Sequence, residues 1–316
     1  MSFNGKITLL KRWISIVLGK NRVTVEQGIG KFYSKNGIEG YYNDLTGKVS
    51  DKTILDSRGI PVNMIEGSKL VYFPISIFQY ALGLWDLLIK TKKVEYSGHF
   101  IVITDWIVEH QQENGSWNCF APIGYKKLTV SSMGQGEAIS VLLRAFKLTG
   151  EIKYANAAEK AINFMMLPVE SGGTLRIEED DYIFEEYADI EGVKKSVLNG
   201  WIFSLFGVYD YIKYKNDKNI EDVFRKSINS LKLNLEEYDM GYWSYYDKTK
   251  RIASPAYHEL HIILLKTIAD ITEDNYFLDV AKRWESYSNN KGKMLCAIVR
   301  KAVQKLQESP EGIIIK

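Results

Sequence analysis

The sequence predicts an all-α chain, an (α/α) toroid or barrel of helical hairpins with a short irregular N-terminal arm, and three observations predict it. Apolar residues recur at steps of three and four from about Tyr72 onward, strand-like alternation is scarce, and turns rich in glycine and aromatics punctuate the helical stretches. With 316 residues, 46% of them hydrophobic, the chain can bury a large core without covalent staples.

The first element is the arm. Over residues 1–66 Gly28, Gly30, Gly37, Gly40, Gly47, Gly59 and Pro61 interrupt any long periodicity, so this segment is expected to pack on a barrel spanning 67–316. Within the barrel, Ala138, Val141, Leu142, Ala145 and Phe146 mark one helix face. Leu198, Trp201, Ile202, Leu205, Tyr209 and Ile212 mark a second, and Leu260, Ile263, Leu264 and Ile268 a third. Gln112 to Trp117 and Asp239 to Ser244 read as turns at the ends of hairpins. Helical hairpins repeated over this length suggest inner and outer helices whose loops form a cleft at one end.

Composition excludes several classes of function. A net charge of +2 gives no reason to expect nucleic acid. Cys119 and Cys296, far apart, build neither a disulfide framework nor a paired zinc spacing, which favours a reducing, cytoplasmic setting. The apolar run from Trp13 to Leu18 is too short to span a membrane and lacks a clear cleavage site. His258-Glu259-Leu260-His261 is one residue short of the zincin motif, so neither histidine is expected to bind metal. Gly134-Gln135-Gly136 lacks a preceding strand and a third glycine, which removes a dinucleotide fingerprint. No nucleophile elbow is present, and Cys119 has no histidine near it in sequence.

Tyrosine stands out instead, at 20 residues against 4 histidines. Most of these rings are expected to be core or rim. Tyr257 is placed differently: Ser254 and Pro255 read as N-cap and first helical residue, which puts Tyr257 in a first turn where the helix dipole favours a phenolate. A lowered pKa would make it a base. Glu185-Glu186 precedes an aromatic and interrupts the helical pattern, a modest signal, since adjacent carboxylates usually form a solvated face.

Several blocks, in one order, carry a resemblance. They are Tyr72-Phe73-Pro74-Ile75 with Gln79-Tyr80, Ser131 to Ala138 with Leu142 and Arg144-Ala145, and Glu185-Glu186-Tyr187. Val197-Leu198-Asn199-Gly200 with Ser204-Leu205 and Gly207, Tyr246-Asp247, Tyr257-His258 with His261, and Lys282 to Tyr287 continue the series. Together they resemble the C-terminal catalytic domain of the D-glucuronyl C5-epimerases, from about Tyr72 to Tyr287. The resemblance implies inversion at carbon 5 of glucuronic acid, giving iduronic acid within an acidic polysaccharide. With only a short arm ahead of the barrel, a microbial enzyme acting on a capsule or exopolysaccharide fits better than one acting on heparosan.

It also implies roles. Glu186 and Tyr257 would stand near one face of the sugar, Tyr246 would supply or accept the proton on the other, and Tyr187 would support them. His258 and nearby cations would help Tyr257 ionise. Gln79, Gln135, Arg144, Asn199, Arg251, His258 and His261 are the candidates for holding substrate, with Arg144 and Arg251 leaning toward structural roles. No cofactor or metal is expected, nor any partner other than the glycan, and a homodimer stays open. A lyase or hydrolase for uronic-acid glycans, or a binding scaffold without catalysis, would use a similar cleft. A terpene-cyclase-like toroid, hinted at by Gln112 to Trp117, lacks its acid, which Glu178-Glu179-Asp180-Asp181 does not supply.

Overall fold

A computed structural model of the protein describes residues 27–65, 69–125, 129–189 and 194–307. The apolar run at 13–18 lies outside the described residues. Four long helices form the inner wall: α1 (Pro74–Thr91), α3 (Ser132–Thr149), α5 (Leu198–Lys215) and α7 (Pro255–Thr272). Each is followed by an outer helix: α2 (Val94–Glu109), α4 (Ile152–Met165), α6 (Lys218–Asn234) and α8 (Asn275–Asn289). A last helix, α9 (Lys291–Gln307), packs on α8. The fold is an (α/α) toroid, and the three apolar faces read from the sequence fall on α3, α5 and α7.

The four hairpins share one device. Each inner helix ends on a left-handed residue (Lys92, Gly150, Asn216 or Glu273), and the next residue is the N-cap of the outer helix. A left-handed C-cap closes the last turn and reverses the chain in two residues. Asp217 and Asp274 then accept the first free N–H groups of α6 and α8. All four short links therefore gather at one end of the toroid. The longer connections between hairpins gather at the other, and they carry the candidate site.

Around the ring α3 packs on α1 and α5, and α5 on α7. Where α3 crosses α5, a Cβ on Gly207 would lie 2.3 Å from the Gly136 Cα, so the glycine pair that superficially suggested a nucleotide loop allows close helix contact. The arm closes the ring between α7 and α1. Its strands β1 (Gly28–Ile29) and β2 (Asn43–Asp44) lie on α7, and its 3-10 turn Thr46–Lys48 lies on α1. Besides β1–β2, short antiparallel hairpins are formed by β3 (Asn63–Ile65) with β4 (Lys69–Val71), and by β5 (Leu175–Glu178) with β6 (Asp181–Phe184). Helical periodicity gives no hint of β5–β6, whose turn is the acidic run at 178–181.

A buried ion pair fastens arm to barrel. Arg144 Nη1 donates to Asp210 Oδ2 (2.6 Å) and to the Ser140 carbonyl (2.9 Å), while Nε and Nη2 donate to the carbonyls of Glu39 (3.0 Å) and Gly40 (2.8 Å). Tyr42 Oη donates to Asp210 Oδ1 (2.7 Å). Both members of the pair are fully buried. Arg144 therefore has no face toward a substrate, and its candidacy as a substrate-binding residue is withdrawn.

Candidate active site

Two loops bring the acidic and phenolic groups together, and each is pinned by capping a neighbouring inner helix. The Glu185 carbonyl accepts the Ser132 N–H at the start of α3 (3.2 Å), and the Tyr246 carbonyl accepts the Leu198 N–H at the start of α5 (3.1 Å). Glu185 and Glu186 follow β6 directly, yet they meet opposite surroundings. Glu185 Oε1 accepts from Arg176 Nε (2.8 Å) and Ser196 Oγ (2.9 Å), and its Oε2 from the Ser196 N–H (2.9 Å). Glu186 turns the other way, onto α5, where a Cβ on Gly200 would lie 2.3 Å from its Oε2. That oxygen is buried without a hydrogen-bond partner. Burial, reinforced by Asp247 and Glu185 and opposed by Arg251 and Lys195, pushes the Glu186 carboxyl up to about 7.

Tyr257 stands where the sequence expects it, in the first turn of α7, its N–H donating to the Ser254 Oγ cap (3.3 Å). Its pKa moves the other way from that expectation. Burial, followed by the nearby Glu186 carboxylate, pushes it up to about 12, and a hydrogen bond with Tyr246 and the charge of Arg251 only partly oppose them. One helix dipole contributes less than these two effects together. Tyr257 is 37% exposed although burial dominates its shift. A residue reached by solvent and yet surrounded by protein stands in a concave wall.

Tyr246 packs edge-to-face on Tyr257, ring centroids 4.8 Å apart. Rings in contact leave no room for a sugar between them, so Tyr246 does not face Tyr257 across a substrate. Burial raises Tyr246 and Tyr187 well above the ordinary tyrosine value, and the Glu186 charge adds to it. Arg251 lies 5.1 Å over the Tyr246 ring. The buried Asp247 carboxylate pairs with its Nε, and the Thr249 and Arg251 N–H groups hold Asp247 in turn (3.0 and 3.3 Å). Burial opposes the Arg251 charge, but Asp247 outweighs it and keeps the guanidinium protonated. Tyr187 stacks on Phe120 at 4.8 Å, with Lys195 Nζ 4.8 Å from its ring.

The other sequence candidates separate. Asn199, one residue into α5, is buried with Oδ1 unpartnered. Gln79 is nearly buried and donates to Glu137 Oε1 (2.9 Å). Gln135 is fully buried, its amide nitrogen donating to the carbonyls of Gly115 (3.1 Å) and Ala161 (3.2 Å), so it holds a loop to α4, while its Oε1 is left without a partner. His258 and His261 are also fully buried. His258 Nε2 lies 3.1 Å from the Trp284 carbonyl, which makes it the protonated nitrogen, so Nδ1 accepts from Ser244 Oγ (2.7 Å). His261 Nδ1 then donates to the same hydroxyl (3.1 Å). Burial pushes His258 down to about 4 and His261 well below its usual range. Neutral and enclosed, His258 neither meets solvent nor lends positive charge to Tyr257, contrary to expectation.

Sequence reasoning singled out neither Lys48 nor Glu137, although Glu137 is fully buried with one carboxyl oxygen unpartnered. Glu137 sits inside the Ser131 to Ala138 block and could have been noticed as a charge on an otherwise apolar helix face; nothing marks Lys48. Among the described residues no group of three His, Cys, Asp or Glu side chains could hold a metal ion, and no helix is long and apolar enough to cross a membrane.

The toroid with a carboxyl whose Oε2 lacks a partner, phenols and guanidinium groups at its loop end defines a class: helical-barrel proteins with acid/base groups gathered at one end. Comparison with known proteins makes this specific. The family described as D-glucuronyl C5-epimerase C-terminus matches residues 111–286, and the chain belongs to that family. A D-glucuronyl C5-epimerase of Caenorhabditis elegans is 31% identical over 229 residues, 64% of this chain and 37% of that protein. An uncharacterised protein of Methanocaldococcus jannaschii is 31% identical over 154 residues, 48% of this chain and 49% of its own length. The chain thus spans half or less of either relative. Among solved structures, a D-mannose isomerase superposes with TM-score 0.54 at 12% identity, covering 77% of this chain and 68% of that one. A Listeria innocua protein does so with TM-score 0.50 at 13% identity, covering 76% and 74%. These two likenesses concern the fold.

Proposed function

We propose that the protein epimerises D-glucuronic acid residues at carbon 5 to L-iduronic acid within an acidic polysaccharide. The observation that carries this reading is Glu186: a buried carboxyl with an unpartnered oxygen and a pKa near 7, beside neutral tyrosine hydroxyls. A general base works best with a pKa near the working pH, and tyrosines held above their usual value are acids at neutral pH. Glu186 takes the proton from carbon 5, and the electron pair of the broken C–H bond passes into the substrate carboxylate. Tyr257, hydrogen-bonded to Tyr246, returns its phenolic proton to the opposite face. Solvent exchange then resets both groups. Arg251 and Asn199 favour the charged intermediate, and Tyr187 forms part of the aromatic wall. These steps move only protons and call for no metal or cofactor. The division into arm and barrel at about residue 66, the glycan as partner and a cytoplasmic setting belong to the same proposal.

Incubation with an unsulfated glucuronic acid polymer tests it. Iduronic acid should appear by NMR with chain length unchanged. An unsaturated uronide absorbing in the near ultraviolet would make the protein a lyase, because the same proton abstraction followed by loss of the 4-substituent is elimination. Shortened chains without that absorbance would make it a hydrolase.

A further inference from the structure

The arm supplies one wall of the ring, and it brings a cation with it. Lys48 ends the 3-10 turn that is pressed onto α1, so close that a Cβ on Gly83 would lie 2.5 Å from the Leu45 carbonyl. Lys48 is only part-buried, yet burial is the main influence on its ammonium and lowers its pKa, while Glu137 acts in the opposite sense. As with Tyr257, partial exposure combined with a burial effect marks a concave position. Among the described residues the ammonium makes no hydrogen bond or ion pair.

Glu137, close enough for its charge to act on Lys48, is fully buried, with Oε1 accepting from Gln79 Nε2 and Oε2 unpartnered. Gln79 and Glu137 each stand five residues past the first residue of their helices (74 to 79, 132 to 137), at equal depth on adjacent inner walls. The groups that act on Glu137 come from every side: Gln79 from α1, Lys48 from the arm and Glu186 from the loop before α5. Burial raises Tyr41 and Cys119, and Glu137 adds to both. Burial above all pushes Glu137 up to about 8, so at neutral pH it is mostly an uncharged acid.

We propose that Lys48 binds the carboxylate of the substrate, and that Glu137 is its positioning residue, leaving the ammonium to the substrate while protonated and capturing it once ionised. This rests on the uronate reading above. The chemistry favours a further cation: proton loss at carbon 5 drives negative charge into the carboxylate, and Arg251, paired with Asp247, offsets that charge only in part. A lysine point charge on a flexible stem can follow a carboxylate as the ring inverts. A buried acid that titrates slightly above neutrality is a competing internal anion whose strength depends on pH.

The test uses the full chain, a glucuronate oligosaccharide and its carboxyl-reduced counterpart, with KM and kcat followed across pH and binding measured by calorimetry. In the wild type, KM should rise above about pH 8, where Glu137 ionises. Glu137→Gln should abolish that rise, its KM staying flat across the same pH range. Lys48→Met should raise KM about tenfold or more and erase the preference for the carboxylated ligand, and Lys48→Arg should restore most of it. Unchanged KM and preference in Lys48→Met would overturn the proposal; an alkaline rise that persists in Glu137→Gln would overturn the part given to Glu137. If the wild type prefers the carboxylated ligand but never epimerises it, the reaction assignment fails, while loss of that preference in Lys48→Met still upholds the site. A wild type without any such preference overturns it outright.

Discussion

Two buried clusters of charge in this protein differ in one respect, and the difference separates structure from chemistry. Around Arg144 and Asp210, each guanidinium nitrogen and each carboxylate oxygen has a partner, and the Arg144 charge keeps Asp210 below the usual carboxylate range although burial alone would raise it. Around Glu186 the balance is reversed. Oxygens of Glu186 and Asn199 are buried without partners, and the carboxyl is displaced upward. Buried polar atoms are nearly always satisfied, because an orphan costs about 1–3 kcal/mol. The saturated pair holds the arm to the barrel, whereas the unpartnered oxygens of Glu186 and Asn199 stand with the groups proposed to meet the substrate. The same contrast divides neighbours in sequence, since Glu185 is fully bonded and Glu186 is not.

The largest expected effect comes from the Glu186 cluster. Glu186→Gln should lower the rate of C5 proton exchange by about 10²–10⁴-fold while leaving the thermal midpoint unchanged or higher, because it removes the proposed general base, whose charge the fold disfavours. Steady-state kinetics alongside a melting curve reads both. A variant that loses its fold rather than its activity would erase the contrast.

Arg144→Met should do the opposite. It leaves Asp210 buried and unpaired, which costs about 3–5 kcal/mol of stability in urea unfolding, with kcat of the folded fraction intact. If this variant folded normally and lost activity, the ion pair would belong to the site.

The two clusters also respond to pH with opposite signs. Glu186 has a folded-state pKa near 7 against an ordinary 4.5, so it favours the folded state fully below the ordinary value and loses that contribution as pH rises through about 7. Glu137, near 8, and Asp86, near 7, act in the same direction. Asp210 is held low, so its contribution is present above the ordinary value of 3.8 and lost only in acid. Urea unfolding across pH 5 to 8 should show stability falling, with a shallower slope in Glu186→Gln; identical slopes would mean that Glu186 is not displaced.

The smallest effect is expected at an exposed ion pair. Removing the charge of Arg58, which meets Glu109 at 3.3 Å with both side chains open to solvent, should change stability by less than about 0.5 kcal/mol and leave kinetics untouched.

What could be read from sequence follows how local each cause is. Ser254 and Pro255 fix the start of α7, and the residues they act on are adjacent, so the placement of Tyr257 was legible. Its pKa was not, because it is raised first by burial, which tertiary packing sets, and then by a carboxylate some seventy residues away on another loop (186 to 257). The left-handed links at Gly150 and Asn216 carry residue types suited to them, whereas Lys92 and Glu273 adopt the same conformation without that signal. Glu185 and Glu186 are identical as letters; only Arg176 and Ser196, brought in by the unforeseen β5–β6 hairpin and the loop after it, tell them apart. His258, His261 and Gln135 were ranked by motif position, and the structure gives each of them protein partners that no local pattern announces. The closing of the ring by the arm, which delivers Lys48, depends on contacts between the two ends of the barrel that no local pattern encodes.

The central claim, that Glu186, Tyr246 and Tyr257 form a proton-exchange site at carbon 5 of a uronic acid, is tested most directly in deuterated water. An unsulfated glucuronic acid polymer is incubated with wild type and with Tyr257→Phe, and deuterium at carbon 5 is read by NMR. The account predicts deuterium in recovered glucuronic and new iduronic acid residues with the wild type, and loss of iduronic acid formation in the variant. Iduronic acid formed equally well by Tyr257→Phe, or no deuterium at carbon 5 on any uronan with the wild type, would contradict it.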